Sequence, residues 1–186
     1  MTGVQTCALP ISARADNARL AALAQTDPLT QVLNRRALTD RLVSELDRAR
    51  RYGHSVAVLM LDLDHFKLVN DTRGHLVGDG VLKDTAEILR GAVRSADFVA
   101  RYGGEEFVVV LPETSMEGAV TFAERLRERI AATGFQGGIG VTLTISVSIG
   151  VALFPGPRIT SADDLLSAAD TALYRAKADG RNRVRH

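Results

Sequence analysis

The sequence predicts an α+β domain in which helices pack on one mixed or antiparallel sheet. Three observations carry this. Helix-like and strand-like hydrophobic patterns alternate along the chain. Two short strand patterns, Phe98 to Tyr102 and Phe107 to Leu111, are joined through Gly103-Gly104, a hairpin signal. The other strands are separated by helical stretches, and crossovers combined with a hairpin give a mixed or antiparallel sheet.

Taken in order, Ala13 to Ala24 is Ala-rich with interspersed Arg14, Asp16 and Arg19, which favours helix on propensity. It predicts a connecting helix over 13–25. Asn34 suits the N-cap of a helix through about Arg51, with Leu38, Leu42 and Leu46 on one face. Val56 to Leu63 is apolar up to its final residues and follows a Gly, the pattern of a buried strand. A turn with Gly74 and Gly78 then leads to a helix from about Gly80 to Val93. After the hairpin, Ser115 can cap a helix to about Ala132. Gly134 to Gly140 reads as a glycine-rich loop and Val141 to Leu153 as a strand, broken by Pro155-Gly-Pro157. Ser161 with Asp164 makes a capping-box-like start to a helix through Ala178, which Gly180 ends.

Composition sets the bounds. The 186 residues suit one domain of about 100–200 residues with a short appendage. Hydrophobic residues at 46% and charged ones at 24% exclude a disordered chain. A net charge of +1, no Trp and 5% aromatics argue against a nucleic-acid binder. The run Val56 to Leu61 is far short of the roughly 20 apolar residues that span a bilayer. One cysteine excludes a disulfide framework and a cysteine zinc site. The expectation is a cytoplasmic domain with no membrane segment.

Met1 to Ser12 carries no charge, no period and a Pro. It resembles the conceptual translation of a sequencing adapter up to about Ile11, the alternative being a natural disordered tail. Under the adapter reading Cys7 has no biological meaning and something upstream is missing. The expected division is 1–12 appendage, 13–25 connecting helix, 26–186 functional domain.

Asp62 and Asp64 end an otherwise apolar strand, where ionised carboxylates are costly unless paired or metal-bound. Period two puts both on one side; alone, they also read as exposed strand-end acids. A second acidic pair, Glu105-Glu106, follows the two glycines, which let backbone pass close to a bulky ligand. One or two carboxylates with substrate phosphates are how Mg²⁺ is usually held.

These residues carry a resemblance. Arg101-Tyr102-Gly103-Gly104-Glu105-Glu106-Phe107 is similar to the signature of the GGDEF domain, the diguanylate cyclase family. It is joined by Asp27-Pro28-Leu29-Thr30, Leu33-Asn34-Arg35-Arg36 and Asp62-Leu63-Asp64-His65-Phe66-Lys67-Leu68-Val69-Asn70-Asp71. Gly74-His75, Gly78-Asp79, Ser148-Ile149-Gly150-Val151-Ala152, Ala172-Leu173-Tyr174-Arg175-Ala176-Lys177 and Gly180-Arg181-Asn182 complete the set, in matching order. The similarity covers about Thr26 to Val184.

The resemblance implies a mainly antiparallel sheet wrapped by helices, like the adenylate cyclase core and the polymerase palm. It implies condensation of two GTP into cyclic di-GMP plus pyrophosphate by a homodimer, each domain binding one GTP. Asp62 and Glu105, with the Leu63 carbonyl, would hold Mg²⁺, or Mn²⁺ in its place. Glu105, Glu106 and Lys67 stand nearest the chemistry. The turn at Phe66-Lys67 would wrap the triphosphate, and Gly103-Gly104 would let it approach. Asn70 and Asp79 would hydrogen-bond guanine, with His75 close by. Lys177 and Arg181 would reach the terminal phosphates. Arg94 and Asp97 match the family's inhibitory pattern, with Arg125 as a second contact for cyclic di-GMP.

Each assignment has a plainer rival. Lys177 and Arg181 also suit a helix C-terminus. His75 could be a turn residue, Asn70 a helix cap, Phe66 and Phe107 core residues, Gly150 a close-packing site and Arg94-Asp97 a local pair. Gln31 stands where the family usually has Gly, and Glu105 where it often has Asp. The alternative function is a non-catalytic receptor for GTP or cyclic di-GMP.

Overall fold

The computed structural model describes residues 25–186. The adapter-like segment and all but the last residue of the expected connecting helix lie outside them. The central strand is β1 (Val56–Leu63), and all eight of its residues are buried. Burial on both faces explains why the sequence shows a continuous apolar run rather than alternation. β1 pairs antiparallel with β3 (Glu106–Pro112) on one side and β6 (Val147–Phe154) on the other. With β2 (Phe98–Gly103) and β7 (Val184–Arg185) the sheet order is β2-β3-β1-β6-β7, and only β7 runs parallel to its neighbour.

Alternate residues feed two cores. Leu59, Leu61, Phe107, Val109, Ile149 and Val151 pack with α2 (Phe66–Arg73), α3 (His75–Arg90) and α4 (Met116–Ala132). Val58, Met60, Val108 and Val110 face α1 (Arg35–Tyr52) and α5 (Ala162–Ala178). Each leucine that α1 and α5 bury there, such as Leu42 and Leu165, contributes roughly 1.5–3 kcal/mol by leaving water.

The caps form as expected. Asn34 accepts from the Ala37 N–H, Ser115 from Gly118 and Ser161 from Asp164. The Asp164 carboxylate also accepts from the N–H and hydroxyl of Thr160.

Three expectations are corrected. The segment from Phe66 is helical, so two helices, α2 and α3, replace one helix starting near Gly80. Gly78 lies inside α3, where a Cβ would overlap the Asn70 carboxamide of α2. The strand expected over 141–153 divides: Thr142–Leu143 (β5) pairs with Phe135–Gln136 (β4) in a separate ladder, inside the expected glycine-rich loop. The break at Ser146 is held by Asp64, whose N–H donates to the Ser146 carbonyl. β7 itself is too short to leave a sequence pattern.

Candidate active site

The site gathers where β1 runs out of apolar residues. Asp62 lies opposite Glu106 of β3 and Ser148 of β6, so the three side chains share the face covered by α1 and α5. Lys177, in the last turn of α5, places its Nζ 2.7 Å from Asp62 Oδ2. Gly150 makes this reach possible. A Cβ there would overlap the Ala169 carbonyl and the Leu173 amide, so α5 rests directly on β6. Leu173 precedes Lys177 by about one helical turn. The close-packing reading of Gly150 therefore holds, and it seats the lysine.

Burial pushes the Asp62 carboxyl above the usual aspartate range; Glu105 and Asp64 push the same way, and Lys177 opposes them. Burial likewise raises Glu106, reinforced by Asp62 and opposed by Lys177. The cluster is thus crowded with negative charge and holds one ammonium. That donor chemistry fits a small divalent cation: Asp62, Glu105 and the Leu63 carbonyl supply hard oxygens. Among the described residues no three His, Cys, Asp or Glu side chains converge on a metal position. A cation here would complete its shell with backbone and substrate oxygens.

Asp64 shares that side with Asp62 but differs in its partners. It accepts from Ser146 Oγ and Ser148 Oγ, both at 2.7 Å, and from the Asn182 N–H at 3.0 Å. Three donors hold it, so it braces the start of β6 and the turn after α5. Asp62 has instead one partner, the Lys177 ammonium.

The hairpin turn is built with care for Glu105. Gly103 pairs with Glu106 after a register shift that leaves an extra residue on β2, a bulge of the kind that re-aims side chains. Gly104 has φ +51°, as two-residue hairpin turns require at their first position. Gly103 has no positive φ, and a Cβ on it would meet no protein atom. Neither backbone nor protein packing calls for glycine there. The Leu63 N–H donates to the Glu105 carbonyl at 3.4 Å, laying the turn over the end of β1.

Phe66 and Lys67 open α2 rather than forming a turn; the turn is Asp64-His65, with His65 at φ +59°. The Phe66 ring is 6% exposed and belongs to the core, as does Phe107. This is the plainer reading of Phe66 given above; its N–H, in the first turn of α2, lacks an intrahelical acceptor. Lys67 and His75 are exposed, and His75 is the first residue of α3. Asn70 lies against Gly78, next to Asp79, so these two guanine candidates are neighbours. Arg181 is exposed with φ +61°.

Arg94 and Asp97 form a tight turn. The Asp97 carboxylate accepts from the Arg94 N–H at 2.8 Å, and the Asp97 N–H donates to the Arg94 carbonyl. The exposed Arg94 guanidinium is not part of that turn. Arg125, on α4, lies 5.2 Å over the Phe122 ring and makes no hydrogen bond or ion pair with either residue.

Sequence reasoning missed the pair Asp27–Arg101. Arg101 donates Nε and Nη2 to the Gly104 carbonyl at 2.9 and 2.7 Å, and Nη1 to both Asp27 oxygens at 3.2 and 3.3 Å. Both residues stand inside quoted signatures, but nothing local signals their contact.

An acidic strand end thus lies beneath a glycine hairpin, with a helix-borne lysine beside it, in an α+β domain. The chain belongs to the GGDEF family: residues 24–183 match the family described as diguanylate cyclase, GGDEF domain. It is 50% identical over 161 residues to diguanylate cyclase DgcP of Pseudomonas aeruginosa, covering 87% of this chain but 24% of that one. The chain thus spans about a quarter of that relative's length. The GGDEF domain of DgcB from Caulobacter crescentus, solved in complex with c-di-GMP, superposes with TM-score 0.82 at 35% identity, covering 87% of this chain and 92% of that one. The active GGEEF domain of a diguanylate cyclase from Vibrio cholerae gives TM-score 0.76 at 35% identity, covering 83% and 97%. The expected fold class holds: an α+β domain with a mostly antiparallel sheet. Among the described residues no helix is long and apolar enough to cross a membrane.

Proposed function

We propose that this domain condenses two GTP molecules into cyclic di-GMP with release of two pyrophosphates. The observation that carries the reading is the convergence of Asp62, Glu105, Glu106 and Lys177 beneath a glycine turn. Asp62, Glu105 and the Leu63 carbonyl would hold Mg²⁺, or Mn²⁺. When bound, such a cation would offset triphosphate charge during in-line displacement at the α-phosphorus.

The protein's own groups do the rest. The Phe66 and Lys67 N–H groups open a helix and face the phosphates, with the Lys67 ammonium adding charge. Lys177 is poised to exchange Asp62 for a terminal phosphate, joined by Arg181. Asn70 and Asp79 offer an amide and a carboxylate to guanine's acceptor and donor edge, with His75 at the rim. Gly103 and Gly104 let the nucleotide lie against the hairpin. Two such domains face each other; each 3′-oxygen forms a bond to the partner nucleotide's α-phosphorus as pyrophosphate leaves. Arg94 and Asp97, with Arg125, grip the product at a separate site and limit its accumulation.

Incubation with GTP and Mg²⁺, with products identified by mass spectrometry, tests the reading. Cyclic di-GMP, formed with a specific activity that rises with protein concentration, is the expected result. Binding of GTP without turnover would instead mark a receptor domain.

A further inference from the structure

We propose that Asp64 and Arg127 are positioning residues for Arg181. Together they hold the turn after α5 in a left-handed conformation that offers the Arg181 guanidinium to the terminal phosphates of the nucleotide. The proposal rests on the cyclase reading above for its substrate, and its test separates the two.

The turn after α5 is strained. Three consecutive residues, Gly180, Arg181 and Asn182, have φ of +112°, +61° and +46°. Gly180 closes α5 in an ordinary way: its N–H donates to the Lys177 carbonyl, and the Arg181 N–H donates to the Ala176 carbonyl at 3.0 Å. That closure needs one left-handed residue, which glycine supplies. Arg181 and Asn182 stay left-handed beyond it, where a side chain is disfavoured. Such backbone persists only where its surroundings over-determine it, and it gathers at functional sites.

Two charged side chains, both distant in sequence, do the holding. Asp64 is 3% exposed, and its Oδ2 accepts the Asn182 N–H at 3.0 Å. The carboxylate is itself fixed by the hydroxyls of Ser146 and Ser148. From α4, Arg127 donates Nη1 to Asn182 Oδ1 at 3.1 Å, while Glu124 holds its Nε at 2.6 Å. Asn182 is thus tied by its backbone to the end of β1 and by its side chain to α4. Arg181, one residue earlier, gives these contacts only its backbone; its carbonyl accepts from Arg183 Nε at 2.9 Å. Its bond to Ala176 folds it back on the helical turn that carries Lys177, so the two cations lie on one frame. Asp64 follows Asp62 by two residues, so the same frame includes the carboxylate assigned to the cation. A guanidinium on a fixed backbone, with its donors unengaged by protein, suits bidentate contact with phosphate oxygens. Fixing it beforehand removes part of the ordering cost of binding.

The test compares wild type, Asp64→Ala, Arg127→Ala and Arg181→Ala in the 186-residue chain, with the two double variants that add Arg181→Ala to each of the others. Isothermal titration measures binding of the α,β-methylene analogue of GTP with Mg²⁺, circular dichroism checks folding, and mass spectrometry follows cyclic di-GMP formation from GTP. Arg181→Ala is expected to weaken binding of the analogue about ten- to a hundredfold. Asp64→Ala and Arg127→Ala should each weaken it by less, about three- to tenfold, and neither should weaken it further once Arg181 is alanine. A folded Asp64→Ala or Arg127→Ala protein with wild-type affinity overturns the proposal. So do losses that persist in full beside Arg181→Ala, because they would mark a general distortion of the site. Should Asp64→Ala fail to fold, Arg127→Ala, at a half-buried position on α4, decides alone. A wild type that binds the analogue with this pattern of losses, yet makes no cyclic di-GMP, refutes the cyclase reading and leaves the positioning role standing. A wild type that does not bind the analogue overturns both.

Discussion

Two arginines border the same strand, β2, and the structure uses them in opposite ways. At its C-terminal end Arg101 is fully engaged by protein, bridging Gly104 and Asp27 across 74 residues of sequence. Just before its N-terminal end, Arg94 contributes only its backbone to the turn with Asp97, and its guanidinium stays in solvent. A guanidinium with its donors occupied is a brace. One that stands in solvent has its fork unoccupied by protein, as the proposed product site requires. Sequence proximity to the glycine signature does not separate the two roles; the partners do.

Breaking the brace should have the largest effect on stability. Arg101→Ala leaves Asp27 half-enclosed without its cation and is expected to cost about 3 kcal/mol, the low end for a buried pair, read from urea midpoints. The loss should depend on pH. Burial raises the Asp27 carboxyl, but the hydroxyl and N–H of Thr30, together with Arg101, outweigh it and hold the group below the ordinary aspartate range. A depressed folded-state value means that the carboxylate's contribution is full above its unfolded-state pKa and is lost as pH falls through the folded value. The difference between wild type and Asp27→Asn should therefore be full near neutrality, begin to shrink below about pH 4, and close only as pH falls through the depressed folded-state value.

Arg94→Ala should do the reverse: little change in stability, within about 0.5 kcal/mol for an exposed site, but weaker binding of cyclic di-GMP. Loss of a charge-assisted partner costs about 1.5–3 kcal/mol, roughly ten- to a hundredfold in affinity. Isothermal titration of cyclic di-GMP into both proteins measures it. Equal affinities would leave Arg94 and Asp97 as a surface turn.

The smallest effect belongs to Gln31, in the same entry segment as Asp27. Its φ is +58°, which explains why Gly is usual there, and its side chain recovers one bond to the Pro28 carbonyl. Gln31→Gly trades that bond and some chain entropy for relief of left-handed strain of about 1–2 kcal/mol. A gain of at most about 1 kcal/mol is expected, seen as a slightly raised melting temperature.

Much of this was legible in the residues. The continuous apolar run of β1, the capping side chains and the Gly103-Gly104 turn are local signals, and each formed where its pattern lay. Asp62 and Glu105 were legible because carboxylates are expensive at the end of a buried strand and beside a glycine turn. What stayed hidden depends on distance along the chain. The division of labour between Asp62 and Asp64 is set by Ser146, Ser148 and Asn182, which no period connects to them. The Lys177–Asp62 contact depends on how closely α5 settles on Gly150. The helix α2 is short and capped by a left-handed His65 rather than by a Ser, Thr, Asp or Asn, so it announces no start. Phe66 sits within a motif, and its ring serves the core, the plainer of its two readings.

The central claim is that Asp62 and Glu105 act together on the triphosphate. The most direct measurement is cyclic di-GMP formation from GTP and Mg²⁺ by wild type and by Glu105→Ala, with both proteins shown to be folded by circular dichroism. The expected result is product from the wild type and none from the variant, with its melting temperature preserved because Glu105 lies on a surface turn. Near-normal turnover by the folded variant would contradict the account.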